Sequence, residues 1–351
     1  MPALPIVLVG CGAVSQLFYR PALCALAADG QVWVAALVDP DATAGRRMRQ
    51  AFPQAAVSPE LSQVAAPRGS LAIIASPPRW HAAQTIAALA CGWHVLCEKP
   101  MAASSAEASQ MTAAAEAAGL VLAIGHYKRF FPASAYLKFL CGGTSPLGVL
   151  RTFNIAEGGP FTWPATSPAF FQKRETPGGV LLDIGVHVFD LLLWWLGEPT
   201  AFTYADDAMG GLEANARVTF CFGSITGRVQ LSRDSATAQR YDFEFEHGAV
   251  SWTVNDANGL TVTLPGAPTA LQGTLRRPDG ATADSNPQSF IAQLQSVVSA
   301  VQHHTPVLVD GREGERALRL IEACYARRAL LEQPWLSATE FTFAQVRATP
   351  A

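Results

Sequence analysis

Residues 4–15 read LPIVLVGCGAVS: a short apolar run broken at Gly10-Cys11-Gly12 before a helical pattern sets in near Val14. Strand, glycine turn and helix in that order open a dinucleotide-binding unit. Gly10 makes the tight turn, and Gly12 lets the backbone approach a pyrophosphate that rests on the helix N-terminus, beside Ala13 and Val14. Ser15 stands in the third glycine position and is small enough to keep helix and strand close. Alone, such a motif also fits an ordinary βα turn. Its context adds weight, because the next strand, VWVAALV (32–38), ends in Asp39, where a carboxylate accepts hydrogen bonds from the adenosine ribose hydroxyls. A surface aspartate before Pro40 is the plainer alternative. A carboxylate repels a 2′-phosphate, so NAD is expected, with NADP second because Arg46 and Arg47 follow closely.

The alternation continues. DATAGRRMRQAF is a polar-faced helix, LAIIA (71–75) a buried strand of the parallel type, and WHAAQTIAALACG (80–92) a helix closed by glycine. WHVLCEKP (93–100), an alanine-rich helix near 104–118 and LVLAIGHY (120–127) complete a doubly wound parallel sheet, a Rossmann domain over residues 1–123. Ligands of such sheets bind at the carboxyl ends of the strands. Ser76 and Pro77, with His81 just behind them, and Glu98 with Lys99 fall at such ends and are candidate cofactor contacts. Pro100 keeps Lys99 extended and aimed outward, although a solvated strand-end lysine reads the same way.

Gly178–Gly197, GGVLLDIGVHVFDLLLWWLG, is an apolar helix interrupted by Asp183, His187 and Asp190. Spacings of four and three stack these groups on one face. Ionisable groups in an apolar setting are paired or face a ligand. Either Asp190 orients His187 inside a purely structural network, or the face is catalytic, with Gly185 leaving room for an approaching group.

GCGAVS, Asp39, SPPRWH (76–81), GWHVLCEKP, GHYKRFFP (125–132) and GGVLLDIGVHVFD, in this order and spacing, resemble the Gfo/Idh/MocA family of nicotinamide-dependent oxidoreductases. EKP followed some eighty residues later by D-x3-H is the specific part. Tyr127 stands where many members carry asparagine. The resemblance implies an α/β fold, with the Rossmann domain followed by an α/β domain (124–351) built on a large, open, mostly antiparallel sheet often used for oligomerisation. It also implies that Lys99, Asp183 and His187 are the catalytic set.

The second half supports that architecture. FTYADD, ARVTFCFGSITGRVQLSR, RYDFEFEHGAVSWTV and LTVTL are strand-like and separated by Gly, Asn and Asp turns. If the sheet face away from the helix is apolar, a partner chain must cover it, which predicts a homodimer or homotetramer; the alternative is an unusually polar face. Residues 265–288 read as an exposed loop, and amphipathic helices at 288–303 and 313–331 close the chain. The aromatic, proline-rich segment 156–179 is placed to wall a substrate pocket. Phe161, Trp163, Phe170 and Phe171 offer stacking faces, and Glu157, Lys173 and Arg174, with Arg129, offer polar contacts. A surface loop anchored by its aromatics is the alternative.

A net charge of -3 with dispersed basic residues gives no field for nucleic acid. The start of the chain reads directly into a strand rather than a signal peptide, and the apolar helix is broken by charges, so a soluble, cytoplasmic protein is expected. The seven cysteines lack CxxC or zinc-like spacing, so no metal site and free thiols are expected. The expected chemistry is hydride transfer between NAD and a carbinol carbon of a sugar, sugar nucleotide or cyclitol. His187 takes or gives the hydroxyl proton, Lys99 favours the developing alkoxide, and Asp183 orients His187 or binds a neighbouring hydroxyl. Two alternatives stand: an NAD-dependent glycoside hydrolase working by transient oxidation, and a non-catalytic sensor of NAD or ligand.

Overall fold

The computed structural model describes residues 2–164, 171–275, 286–332 and 336–348. Strands β1 (Leu4–Val9), β2 (Val32–Val38), β3 (Ala56–Ser58), β4 (Leu71–Ile74), β5 (His94–Cys97) and β6 (Leu122–Ile124) alternate with helices α1 (Arg20–Ala28), α2 (Ala42–Arg49), α3 (His81–Ala90) and α4 (Ser105–Ala118). The strands form one parallel sheet in the order β3-β2-β1-β4-β5-β6. Their apolar runs follow from burial on both faces, as at Leu71–Ile74, where every residue is buried. Sheet order reverses direction at β1, so the crevice beyond the ends of β1 and β4 is the topological switch point where such sheets bind ligands. Local chemistry sets the helix ends. Asp41 caps α2 by accepting from the Thr43 amide, Ser104 caps α4 by accepting from Glu107, and left-handed Gly119 ends α4.

The chain then runs through α5 (Pro132–Cys141), β7 (Leu150–Gly158) and α6 (Val186–Leu196) into β8 (Ala201–Asp206), β9 (Asn215–Phe222), β10 (Ile225–Ser232), β11 (Arg240–Phe245), β12 (Gly248–Thr253), β13 (Gly259–Thr263) and β14 (Leu271–Thr274). Helices α7 (Asn286–His303) and α8 (Gly311–Ala326), strand β15 (Ala329–Leu330) and α9 (Ala338–Ala348) follow. The second sheet has the order β14-β13-β12-β11-β7-β10-β9-β8-β15. Only β7–β10 and β8–β15 pair in parallel.

One face of this sheet is apolar and covered. Phe189 of α6 meets Phe220 edge-on at 5.1 Å, and Trp195 sits among Tyr241, Phe243 and Trp252. The other face carries Asn154, Arg217, Thr226, Arg228, Gln230, Arg240 and Glu244, all exposed. The free face is therefore polar, against the apolar face that the oligomer expectation required, because each strand alternates strictly and sends its phenylalanines and valines inward.

The chain divides into two compact units, and the first is discontinuous: it runs to Tyr127 and takes up the chain again from α7 to Leu318. Phe290, Leu294, Val297, Val298 and Val301 of α7 pack into the core formed by Leu4, Ile6, Tyr19, Leu23 and Leu26. The boundary read at 123/124 placed this helix in the second domain. Its apolar stripe was legible, but its destination was not.

Candidate active site

In the first unit, the glycine turn is built against β4. Gly10 has φ +88°, and a Cβ there would lie 2.6 Å from the backbone of Ala75 and Ser76. Gly12 is different: a Cβ there would meet nothing within 4 Å, so packing within the chain does not demand a glycine. Ser15 is buried and donates its hydroxyl to the Gly10 carbonyl at 2.6 Å, which fixes the turn where a third glycine would have been neutral. The helix opens at Ala13–Val14 and passes into a π-turn at Ser15–Tyr19, and Gly12 before it has no side chain to cap the opening. An uncapped amide end and an open Gly12, with Ala13 and Val14 half-buried between them, fit a dinucleotide pyrophosphate.

Asp39 at the end of β2 accepts from the Cys11 amide at 2.7 Å and from the Asp41 amide at 2.8 Å. It thus fastens the glycine turn. Burial, and then the Asp39 charge, push the Cys11 thiol up to about 12, so Cys11 is an inert packing residue.

At the ends of β4 and β5, Ser76 is half-buried and donates to Gln84 at 2.5 Å, Pro77 is exposed, and Lys99 is half-buried ahead of a cis Lys99–Pro100 bond. The structure turns two predicted cofactor contacts inward. His81 is buried between the two strand-end loops, with Nδ1 2.8 Å from the Pro100 carbonyl and Nε2 2.8 Å from the Ser76 carbonyl, and its neutral ring donates to one of these carbonyls at a time. Burial lowers the His81 pKa and outweighs the pull of those carbonyls in the other direction. Glu98 is likewise buried, accepting from the Tyr19 hydroxyl at 2.6 Å and the Lys99 amide at 3.0 Å, and burial raises its pKa. Its carboxylate fixes the backbone that carries Lys99.

In the second unit, Asp183 lies in a π-turn, Leu181–Gly185, that leads into α6. The start of this turn is held by Glu213, whose Oε1 accepts from the Gly179 amide (2.9 Å), the Leu181 amide (3.0 Å) and the Tyr325 hydroxyl (2.7 Å). Burial raises the Glu213 pKa despite those donors. Gly185 does not leave room for a ligand: a Cβ there would sit 2.8 Å from Leu231 of β10, so the glycine serves close helix–sheet packing.

His187 is buried one turn after Asp183, and Asp190 is buried beneath it. Asp190 takes the Arg129 guanidinium on both oxygens, at 2.7 to 3.1 Å. Arg129 is thereby engaged within the fold rather than presented to a substrate, and its guanidinium also lies 5.3 Å from the Trp194 ring centroid. Glu157 is also corrected. It belongs to β7, is buried, and accepts from Lys128 and the Tyr241 hydroxyl, each at 2.5 Å.

Of the loop residues, Phe161 meets Phe171 edge-on at 4.8 Å and Trp163 is half-buried, while Phe170 lies outside the described residues. Lys173 is exposed and donates to the Gly210 carbonyl, and exposed Arg174 pairs with Gln172 and Glu175. Both cations are bound up in surface contacts and give no support to a diphosphate site. The cation beside Asp183 is instead Arg233, buried and 3.6 Å from Asp183 Oδ2. Sequence reasoning passed over it; the strand-ending QLSRDS was its only signal.

Residues 4–126 match the oxidoreductase family with an NAD-binding Rossmann fold, and residues 145–251 match the GFO/IDH/MocA C-terminal domain. The chain belongs to the Gfo/Idh/MocA family. It is 28% identical over 330 residues to the rhizopine catabolism protein MocA of Rhizobium meliloti, covering 90% of this chain and 92% of that protein. It is 25% identical over 300 residues to the scyllo-inositol 2-dehydrogenase (NADP(+)) IolW of Bacillus subtilis (strain 168), covering 79% and 82%. In fold it is similar to levoglucosan dehydrogenase, solved with NADH and levoglucosan, at a TM-score of 0.80 and 17% identity over 93% of this chain and 97% of that one. This Gfo/Idh/MocA member is an oxidoreductase with an NAD-binding Rossmann domain. Among the described residues no helix is long and apolar enough to cross a membrane, and no cluster of His, Cys, Asp and Glu is suited to hold a metal.

Proposed function

We propose that this enzyme transfers hydride between NAD and a ring carbinol carbon of a sugar or a cyclitol, with Lys99, Asp183 and His187 as the catalytic set. The observation that carries this reading is Asp183 standing partly exposed on a turn pinned by Glu213, with His187 one helical turn behind it and the aromatic faces of Phe161 and Phe171 presented by the same unit. Hydroxyl-rich rings are recognised by such pairings of carboxylate and aromatic face. Relatives named for an inositol and for an anhydro-sugar support the hydroxyl-rich ring, while another is named for a sugar nucleotide, UDP-N-acetylglucosamine. A nucleotide-linked sugar would need cations for its diphosphate, and Lys173 and Arg174 are engaged at the surface, so a free sugar or cyclitol is placed ahead of it.

When bound, the nicotinamide supplies the hydride acceptor or donor. His187 takes the hydroxyl proton in oxidation and returns it in reduction, and Asp183 binds a neighbouring hydroxyl. Lys99, held by the Glu98-anchored backbone, favours the developing alkoxide. Ser76, Pro77, Gly12 and Asp39 contact the cofactor, with Asp39 selecting NAD over NADP. We also place the chain in a homodimer or homotetramer in the cytoplasm; the polar free face makes any pairing through it a polar one, and light scattering tests it.

The test is a screen of sugars, cyclitols and sugar nucleotides with NAD and NADP in both directions, followed by nicotinamide absorbance. Turnover of a ring polyol with NAD is expected. Turnover confined to apolar alcohols, or none with any polyol, overturns the reading.

A further inference from the structure

The π-turn that follows the glycine turn ends at Tyr19, whose side chain is wholly buried and meets Phe290 of α7 edge-on, with 5.2 Å between ring centroids. What a tyrosine adds to such packing is a hydroxyl in the core, which is costly unless paired. Its partner is Glu98. The hydroxyl donates to Glu98 Oε1 at 2.6 Å, while Glu98 Oε2 accepts from the Lys99 amide at 3.0 Å. Both are bonds to a carboxylate, the stronger kind. Gln293 of α7 donates to the same hydroxyl oxygen at 3.4 Å, so the donors run in one direction, from Gln293 through Tyr19 to Glu98. Burial, and then the Glu98 charge, raise the Tyr19 pKa well above the usual phenol value, so the hydroxyl keeps the proton it donates. Gly125, just after β6, leaves room for the carboxylate: a Cβ there would lie 2.9 Å from Glu98 Oε1. All of these residues belong to the first unit.

We propose that Tyr19 is a positioning residue for Lys99: by holding one oxygen of Glu98 it keeps the other on the Lys99 amide, and so sets where the lysine stands. Tyr19 lies on the helical run that opens at the glycine turn, which ties the placement of Lys99 to the segment that would receive the cofactor pyrophosphate. This inference rests on the proposed role of Lys99.

The test combines kinetics and spectroscopy on the full-length enzyme. Tyr19→Phe lowers kcat, counted per NADH-binding site, by about 10- to 100-fold, the range expected when a reacting group is displaced by about 1 Å. NAD affinity and the substrate KM stay within about twofold. In a Lys99→Met background, Tyr19→Phe has almost no further effect, because it acts through the lysine. Full additivity of the two substitutions overturns the proposal. A second readout is independent of turnover. The chain has four lysines, so selective 15N-lysine labelling gives four backbone amide resonances, and that of Lys99 is assigned by its loss in Lys99→Met. In Tyr19→Phe the Lys99 resonance moves, while those of Lys128, Lys138 and Lys173 stay. An unmoved Lys99 resonance overturns the proposal even in an active enzyme, and so does a movement of all four, which marks a general loosening. A wild-type enzyme inert toward every polyol overturns the functional reading instead, and the resonance then still decides whether Tyr19 holds the Lys99 backbone.

Discussion

Gly10 and Gly12 are two residues apart in one turn, and the structure gives them opposite surroundings, which substitution separates. Gly10→Ala puts a Cβ 2.6 Å from the Ala75–Ser76 backbone at φ +88°. A left-handed L-residue costs about 1–2 kcal/mol and overpacking about 1–3 kcal/mol more. Relief by moving the backbone is blocked, because Ala75 donates to the Val9 carbonyl at 2.7 Å. The sum, about 2–5 kcal/mol, lowers Tm by roughly 4–20 °C for a domain of this size. The Cβ of a residue at position 12 meets no atom within 4 Å and needs no left-handed backbone, so Gly12→Val is expected to change stability by less than about 0.5 kcal/mol or raise it slightly. Its side chain occupies the space through which a pyrophosphate reaches the amide end of the helix. Losing two charge-assisted hydrogen bonds there costs about 3 kcal/mol or more, over a hundredfold in Kd. Thermal unfolding with and without NAD reads both effects: wild type gains about 2.7 kcal/mol at a hundredfold excess of NAD over Kd, and Gly12→Val gains nothing. Normal NAD affinity in Gly12→Val, or a Tm as low as that of Gly10→Ala, refutes the assignment.

Asp190→Asn strands the buried Arg129 guanidinium and should destabilise the protein by about 3–5 kcal/mol in urea unfolding, while a surface-like loss below about 1 kcal/mol would deny the pair its structural role. Lys99→Met and His187→Ala should each cut turnover by about 10²- to 10⁴-fold with NAD affinity unchanged in calorimetry; unaltered turnover removes them from the chemistry. Because burial holds the His81 pKa below the usual value, the unfolded chain binds more protons than the folded one between those values. The stabilising contribution is therefore complete above the unfolded value and is lost as pH falls through the folded one. Urea midpoints of wild type should fall from pH 7.5 toward acid more steeply than those of His81→Gln; parallel profiles would mean that His81 does not titrate differently on folding.

What was legible in the sequence was local. The glycine turn, Asp39, the strand-end prolines and the D-x3-H helix are each set by residues a few positions apart, so periodicity and turn chemistry reveal them. Choice of partner is not local. Asp190 joins Arg129 across 61 positions and Glu157 joins Tyr241 across 84, and composition cannot tell a buried carboxylate awaiting a ligand from one already matched. Gly185 shows the same limit: a glycine on a polar helical face signals close approach, and only the fold reveals that Leu231 does the approaching. Arg233 was missed for the converse reason, since an arginine just after a strand looks solvated until Phe171 is seen over it.

The return of α7 to the first unit bears on how the chain is made. When β1–β6 have left the ribosome, the apolar side of Tyr19, Leu23 and Leu26 still lacks Phe290, Leu294 and Val298, which are synthesised only after β7–β14 of the second sheet. The second unit waits too, because Glu213 and Asp206 receive Tyr325 and Arg328 from the chain's last stretch. Neither half can therefore be completed until α7, α8 and Arg328 have left the ribosome. A nascent chain of this protein carries an exposed oily stripe until α7 emerges and two underpartnered buried acids until α8 and Arg328 emerge, and holding chaperones have a long task there.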